Sequence, residues 1–323
     1  MKYWARLSAH VNQTMTIMPR RKLHEKAIRS PMSRSQSTLG LDPSEIHSLL
    51  TLFPKGLVAV DLETTGLSPL VDKIIEIAAV KITADGQVTT FHTLVNPLIE
   101  IPEFTIQFHG LQNKDVENSP TIKKPLKEFW SFVGRHPMIA HNSIFDLGYL
   151  IKSSHDFQIE FPPLDIYDSC RWARSAYKQL ENPPINYKLS TLSDFCGFKL
   201  QHHVAIEDTY ACLKIMVKVG QLIVDQEECR KKSFIFRLSQ FDRNECFNFS
   251  TRLKGLAQLV QDKNLITLEI KGSRRPVRPI GLMPQTKGPV LFAECLLTGM
   301  NKSFHLKKIK SYSKLEASYW HAT

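Results

Sequence analysis

No apolar run in this 323-residue chain approaches the roughly 18 residues that a membrane-spanning helix needs, so no membrane span is expected. Nor is there a C-x-x-C pair. The six cysteines (Cys170, Cys196, Cys212, Cys229, Cys246 and Cys295) are scattered, which argues against a structural zinc site or a disulfide framework. Reduced thiols in a cytoplasmic protein are the better expectation. Acids are nearly missing from residues 1–40, which carry 8 Lys/Arg against 1 acid. No apolar stretch follows Lys2 and Arg6, so this is not a secretory signal. Without a period of 3.6 or 2, the segment reads as mostly disordered, and its composition also fits an organelle transit peptide. No internal repeat is present.

What is there is charge, unevenly spread. Residues 41–229 hold 16 Lys/Arg against 24 acids, and residues 230–323 hold 18 against 6, within a net charge of +11. An acidic middle flanked by basic segments suits a metal-binding catalytic domain with appendages that hold a polyanion. The plainer alternative is that the basic residues only solubilise the chain.

The stretch Leu57-Val58-Ala59-Val60-Asp61-Leu62-Glu63-Thr64-Thr65-Gly66-Leu67 organises the rest. An apolar strand pattern ends in two carboxylates, and strand alternation puts Asp61 and Glu63 on one side with Leu62 on the other. Two such carboxylates raise each other's pKa unless a cation lies between them. Hard oxygen ligands at that spacing suit Mg²⁺ or Mn²⁺. Gly66 breaks the strand and permits a close turn or the approach of a ligand.

Asp42-Pro43-Ser44-Glu45 opens a short helix that ends before Pro54. Residues 73–82 read as a second strand, Asp85-Gly86 as a hairpin turn and 88–95 as a third strand, which makes a meander. His109-Gly110 reads as loop and 122–133 as a helix. Residues 138–142 read as a short strand and turn, and 144–152 as a helix carrying Asp146. Further helices are expected over 166–177 and 189–195, and a long one runs from His203 to about Cys229. Asp168, just before Ser169, reads as a helix cap, and His141 and Asn142 as caps of the helix that follows them. Residues 230–249 read as a packed connector. Beyond it Ser250 caps a helix, and short strands with Gly/Pro turns follow, suggesting a small β-barrel or curled sheet. The fold class is therefore α/β, a mixed sheet flanked by helices, with a small β-rich domain after it.

Asp61, Glu63, Asp146 and Asp208 supply four hard ligands from three parts of the chain, and His203, five residues before Asp208, supplies a titratable base. These residues resemble the DEDDh branch of the DnaQ-like 3′–5′ exonucleases. D-x-E-T-T-G stands as Asp61 to Gly66, H-N-x-x-F-D as His141 to Asp146, and H-x-A-x-x-D as His203 to Asp208, selecting His203 over His202. The resemblance covers roughly residues 55–228 and implies a ribonuclease H-like mixed sheet. It implies that Asp61, Glu63, Asp146 and Asp208 hold two Mg²⁺ or Mn²⁺ ions, about 4 Å apart, that stabilise the entering and leaving oxygens. It implies His203 as general base, and Thr64, Gly66, Leu67, His109, Asn142 and Phe145 as contacts of the terminal nucleotide. Leu67 and Phe145 would pack on base and sugar. His109 could equally be loop structure.

Residues about 250–310 resemble a WYL domain, an Sm-like barrel, through Arg275-Pro276-Val277-Arg278-Pro279-Ile280-Gly281-Leu282 and Phe304-His305-Leu306-Lys307-Lys308-Ile309. The Trp-Tyr-Leu tripeptide is absent, with Val290-Leu291-Phe292 in about its place. The resemblance implies nucleic-acid or nucleotide sensing, with Arg274, Arg275 and Arg278 as accessory binding residues; a solvated basic edge is the alternative.

The organisation expected is a basic segment over 1–40, an exonuclease domain over 41–229, a connector over 230–249, a WYL-like domain over 250–312 and a tail over 313–323. The expected activity is metal-dependent 3′–5′ hydrolysis of single strands or 3′ ends, DNA ahead of RNA, to nucleoside 5′-monophosphates, with DNA polymerase or repair partners. The rival reading is a nucleic-acid-binding regulator or polymerase-associated subunit that uses the fold mainly for binding.

Overall fold

The computed structural model describes residues 39–200, 203–222, 225–241, 247 and 253–315. The expectations for residues 1–38, His202, the Ser250 cap and the end of the tail lie outside the described residues. The chain divides into two compact units.

One unit comprises residues 39–66 and 73–240 as described. It opens with helix α1 (Pro43–Leu52), whose start is fixed by a reciprocal cap. Asp42 accepts from the Glu45 amide at 2.9 Å while Glu45 accepts from the Asp42 amide at 3.0 Å. Strands β1 (Gly56–Thr64), β2 (Ile74–Thr83) and β3 (Val88–Leu94) form the expected antiparallel meander. Gly86, at φ +84, makes the tight turn between β2 and β3. Helices α2 (Glu103–His109), α3 (Asn113–Val116) and α4 (Lys123–Val133) lead to β4 (Met138–Ala140), which runs parallel to β1. Then follow α5 (Ile144–Asp156), β5 (Asp165–Asp168), α6 (Ser169–Tyr177), α7 (Leu189–Phe195), α8 (Ala205–Gly220), α9 (Gln226–Ser233) and β6 (Phe234–Arg237). The six-stranded sheet has the order β3-β2-β1-β4-β5-β6 and mixes parallel with antiparallel pairs.

β1 lies between two strands, and its buried run Leu57–Val60 reflects cover on both faces. Leu57 and Ala59 share one face with Asp61 and Glu63. They join a core with Ala78, Val80 and Ile82 of β2 and with Ile206, Leu213 and Met216 of α8. The carboxylates thus continue the very row that packs on α8. That helix is buried almost all round, with Ala211, Leu213 and Ile215 fully enclosed. α4 and α5 pack on each other, with α5 also against β1 and α4 against β3.

Four sequence expectations are corrected here. Residues 166–177 are not one helix: Ile166 and Tyr167 pair in parallel with Met138 and Ile139, and the helix begins only at Ser169. His109 ends a helix instead of lying in a loop, and Gly110 closes it in the left-handed region at φ 75. The long helix stops at Gly220, short of Cys229. Phe234–Arg237 of the expected connector form an edge strand paired with β5.

The other unit comprises residues 67–72 and, as described, 241, 247 and 253–315. After helix α10 (Lys254–Gln261) come β7 (Ile266–Ile270), β8 (Ser273–Met283), β9 (Val290–Cys295), β10 (Met300–His305) and β11 (Ser311–Lys314). They form an antiparallel sheet ordered β10-β9-β8-β7-β11, so the expected β-rich domain is present. Leu268, Val277, Leu282 and Leu291 are fully buried along it. The register of β8 against β9 shifts between Pro279 and Gly281, a bulge that re-aims the strand's end. No helix among the described residues is long and apolar enough to cross a membrane.

Candidate active site

Three chain segments meet at the carboxyl-terminal end of β1. β1 presents Asp61 and Glu63 on the face covered by α8, and the entrance of α8 brings His203 and Asp208. One ligand atom from each of Glu63, His203 and Asp208 lies within 4.8 Å of the others. Asp146 and Asp208 are buried in the first turns of α5 and α8. Asp208 also fixes the approach to its own helix, accepting the backbone N–H of His203 at 3.1 Å. His203 adopts φ 62, a left-handed conformation that costs a non-glycine residue roughly 1–2 kcal/mol. The edge of Phe108 meets its ring with centroids 5.9 Å apart.

The electrostatics follow from this crowding. Burial pushes the Asp61 carboxyl well above the usual carboxylate range, and the negative charges of Asp208, Asp146, Glu63 and Glu76 push it further. Glu63 is therefore not the main perturber that strand alternation suggests. Asp146 is also raised, first by burial and further by Asp168 and Asp208, against the pull of the Asp146 and Leu62 amides. A crowded set of mutually repelling carboxylates, two buried and two half-buried, is relieved by protonation or by a cation. Oxygen donors with one imidazole nearby fit a divalent ion of the Mg²⁺ or Mn²⁺ kind.

The remaining sequence-predicted residues divide. Thr64 Oγ1 donates to the Gly66 carbonyl at 2.7 Å, and so does the Tyr149 hydroxyl, also at 2.7 Å. Phe145, four residues before Tyr149 on α5, meets its ring at 5.1 Å. Asn142 takes the left-handed conformation at φ 72, which asparagine tolerates well. His109 is buried, and its Nδ1 accepts from the Leu111 amide at 3.0 Å, which ties it to the turn after α2. Leu67 is 45% exposed at the start of the 67–72 loop. On β8, Arg274 and Arg278 share one face and stand opposite Glu269 and Glu294, while Arg275 points to the other face. The structure therefore does not bring the three arginines into one row.

His141 and Asn142 do not cap α5 through their side chains. His141 Nδ1 bonds Ser169 Oγ at 2.8 Å and Nε2 bonds the Tyr187 carbonyl at 2.9 Å, and burial holds this imidazole below the usual histidine range. The cap role falls to Asp168. It accepts the Arg171 amide at 2.9 Å, as expected for α6, and also the Ser143 amide at 3.1 Å at the entrance of α5. Two further groups escaped the sequence reading. Tyr149 sits one helical turn beyond Phe145, a spacing that could have flagged it. Glu76, fully buried, lies opposite Glu63 in the β1–β2 register and bonds His92 Nε2 at 2.8 Å. Only the strand register reveals that proximity.

Residues 58–216 match the exonuclease family model, RNase_T. A DNA polymerase III PolC-type protein of Caldanaerobacter subterraneus subsp. tengcongensis is 37% identical over 163 residues, 50% of this chain and 11% of that protein. One of Thermotoga petrophila is 32% identical over 190 residues, 57% of this chain and 13% of its own length. The chain thus spans about a tenth of the length of these relatives. A solved structure of the nuclease domain of 3′hExo, a DEDDh family member, bound to rAMP, aligns with 57% of this chain and 98% of its own at 18% identity and a TM-score of 0.47.

Proposed function

We propose, from the premise that residues 58–216 are a DnaQ-like exonuclease domain, that this chain removes nucleotides one at a time from the 3′ end of DNA, releasing nucleoside 5′-monophosphates. The observation that carries this reading is the convergence of Glu63, His203 and Asp208 within 4.8 Å, beside Asp61 and Asp146 with raised carboxyl pKa values.

Asp61, Glu63, Asp146 and Asp208 would hold divalent ions. Bound there, such ions supply charge stabilisation for the phosphoryl oxygens. His203 takes the proton of the water that attacks phosphorus, a role suited to an imidazole near neutral pH. The new bond joins phosphorus to the water oxygen, the bond to the preceding O3′ breaks, and that oxygen recovers a proton. Asp208 orients the His203 backbone, and Phe108 limits its ring. Thr64 and Tyr149 hold the Gly66 carbonyl, fixing the turn against which the terminal nucleotide rests. Leu67 and Phe145 pack on base and sugar without reading sequence. The PolC-type relatives favour DNA as substrate and a polymerase as partner. The basic residues 230–323 would hold the strand electrostatically, with affinity that falls as salt rises.

The test is electrophoresis of 5′-labelled single-stranded DNA and RNA after incubation with Mg²⁺ or Mn²⁺, with EDTA and Asp61→Ala as controls. The expected result is a ladder shortening from the 3′ end, faster on DNA and lost in both controls. A band that is retarded but never shortened, with Asp61→Ala like wild type, would overturn the proposal in favour of a binding regulator.

A further inference from the structure

The parallel strands β1, β4 and β5 all begin at one end of the six-stranded sheet, and the carboxylates stand at the other. From Gly56 to Glu63 strand β1 rises about 23 Å, which separates the two ends. A loop precedes each of these strands and holds a proline close to it: Pro54 before β1, Pro137 before β4 and Pro163 before β5. Proline fixes φ at about −65° and so stiffens all three loops. Backbone bonds pin them further. The Gly56 amide donates to the Phe53 carbonyl at 2.8 Å, the Val58 amide to the Pro137 carbonyl at 2.9 Å and the Leu238 amide to the Leu164 carbonyl at 2.8 Å.

Between these loops, α9 and β6 lies a cleft of about 530 Å³, the size of a site for a small ligand. Its charged lining is nearly all of one sign: Lys55, Arg135, Arg230 and Arg237 against Asp165 alone. Asp165 and Arg237 cancel, since the guanidinium donates to the carboxylate at 2.7 and 3.2 Å. Arg230 is held by one nitrogen, which donates to the Leu52 carbonyl at 3.2 Å, and the neighbouring Glu227 is already paired with Lys231 at 2.7 Å. Lys55 and Arg135 are exposed, and among the described residues neither reaches a carboxylate. Residues 41–229 hold more acids than bases, so this cluster of cations is not the general surface charge of the unit.

Guanidinium groups fork onto phosphate oxygens with a geometry that an ammonium lacks. Three uncompensated cations around one rigid concavity suit a compact, multiply charged anion. A nucleic-acid strand is instead held by cations that track its backbone along a groove. We infer that this cleft is a second ligand site, remote from the carboxylates, that takes the phosphate groups of a free nucleotide. Its cations belong to the chain itself, so binding there needs no metal, whereas the bare carboxylate centre repels phosphate.

That difference separates the two sites experimentally. The full chain in EDTA is titrated calorimetrically with pyrophosphate, dATP, citrate and a short single strand of DNA, for wild type, Lys55→Ala, Arg135→Ala and the double variant. Wild type should bind pyrophosphate and dATP, with citrate weaker by about tenfold because carboxylates are spaced differently from phosphate oxygens. The double variant should weaken dATP by about tenfold or more and hold the strand within about twofold of wild type, with each single variant between. Melting curves check the folding of the variants, and glutamine replaces alanine at both positions if the alanine pair does not fold. No heat with pyrophosphate or dATP, citrate as tight as pyrophosphate, or unchanged dATP affinity in the double variant would each overturn the inference. Loss of the strand with dATP unaffected would overturn it too, and would make the cleft part of a nucleic-acid track.

Discussion

The entrances of α5 and α8 are built from the same residue types and use them in opposite ways. Each brings a histidine, a residue in the left-handed conformation and a buried aspartate in its first turn. At α5 the histidine is spent on structure, because His141 engages Ser169 and Tyr187 with its two nitrogens and the left-handed position passes to Asn142. At α8 one residue carries both features: His203 is itself left-handed, half-exposed, and within ligand distance of Glu63 and Asp208. Histidine stands in both motifs, and its neighbours differ: His141 is tied to Ser169 and Tyr187, whereas His203 lies beside the carboxylates Glu63 and Asp208.

Exchanging the two roles gives the largest expected effects. His203→Ala should lower kcat by about 10²–10⁴-fold while the melting temperature barely moves, which single-turnover kinetics and calorimetry would check together. His141→Ala should do the reverse. It leaves Ser169 Oγ and the Tyr187 carbonyl only their longer contacts to Ala140, Cys212 and Cys170, and should cost about 2–4 kcal/mol in urea unfolding, with activity per folded molecule within about tenfold of wild type. A stable, inactive His141→Ala would break the comparison.

Asp168 comes next, because it serves the starts of both α5 and α6. Asp168→Ala should destabilise by about 1–3 kcal/mol, more than the loss of a single cap would. A cost at the low end, equal to one cap, would mean that the Ser143 contact contributes little.

The raised carboxyls of Asp61 and Asp146 predict an inverted pH response in metal-free protein. Their folded pKa values exceed the unfolded ones, so the stability they lend is complete below the ordinary carboxylate pKa and is lost as pH rises through the elevated values. In EDTA, Asp61→Asn should therefore melt above wild type at pH 8, with the gap closing toward about pH 4. Added Mg²⁺ should raise the wild-type midpoint more than the variant's. A melting comparison in which the variant has no advantage at pH 8 would show that these carboxylates are not strained by one another.

The smallest effect is expected at Arg278, which faces Glu294 in a half-exposed pair on β8. Arg278→Ala should change stability by no more than about 0.5 kcal/mol. A larger loss of DNA retention at low salt would single it out from its basic neighbours.

Local chemistry made the acidic side of this comparison legible. Period-two alternation placed Asp61 and Glu63 on one face, Asp42-Pro43-Ser44-Glu45 announced its helix, and three spaced motifs gathered the carboxylates. What stayed hidden depends on partners distant in sequence. Ile166-Tyr167 read as the start of a helix because four strand residues are too few to show a period, and only pairing with β4 makes them extended. His141 looked like a cap because nothing near it in sequence announces Ser169 or Tyr187. Glu76 stands opposite Glu63 through strand register alone, which no residue near it in sequence announces.

The bond between Ser68 and Leu282 spans 214 positions. At the usual pace of synthesis, about 5–20 residues per second, the ribosome needs roughly 10–40 seconds to deliver the second partner after the first. Asp208, the last of the clustered carboxylates in sequence, lies 74 positions before Leu282, so every acidic residue of the site is synthesised roughly 4–15 seconds before Ser68 and Leu70 have the strand to which they bond.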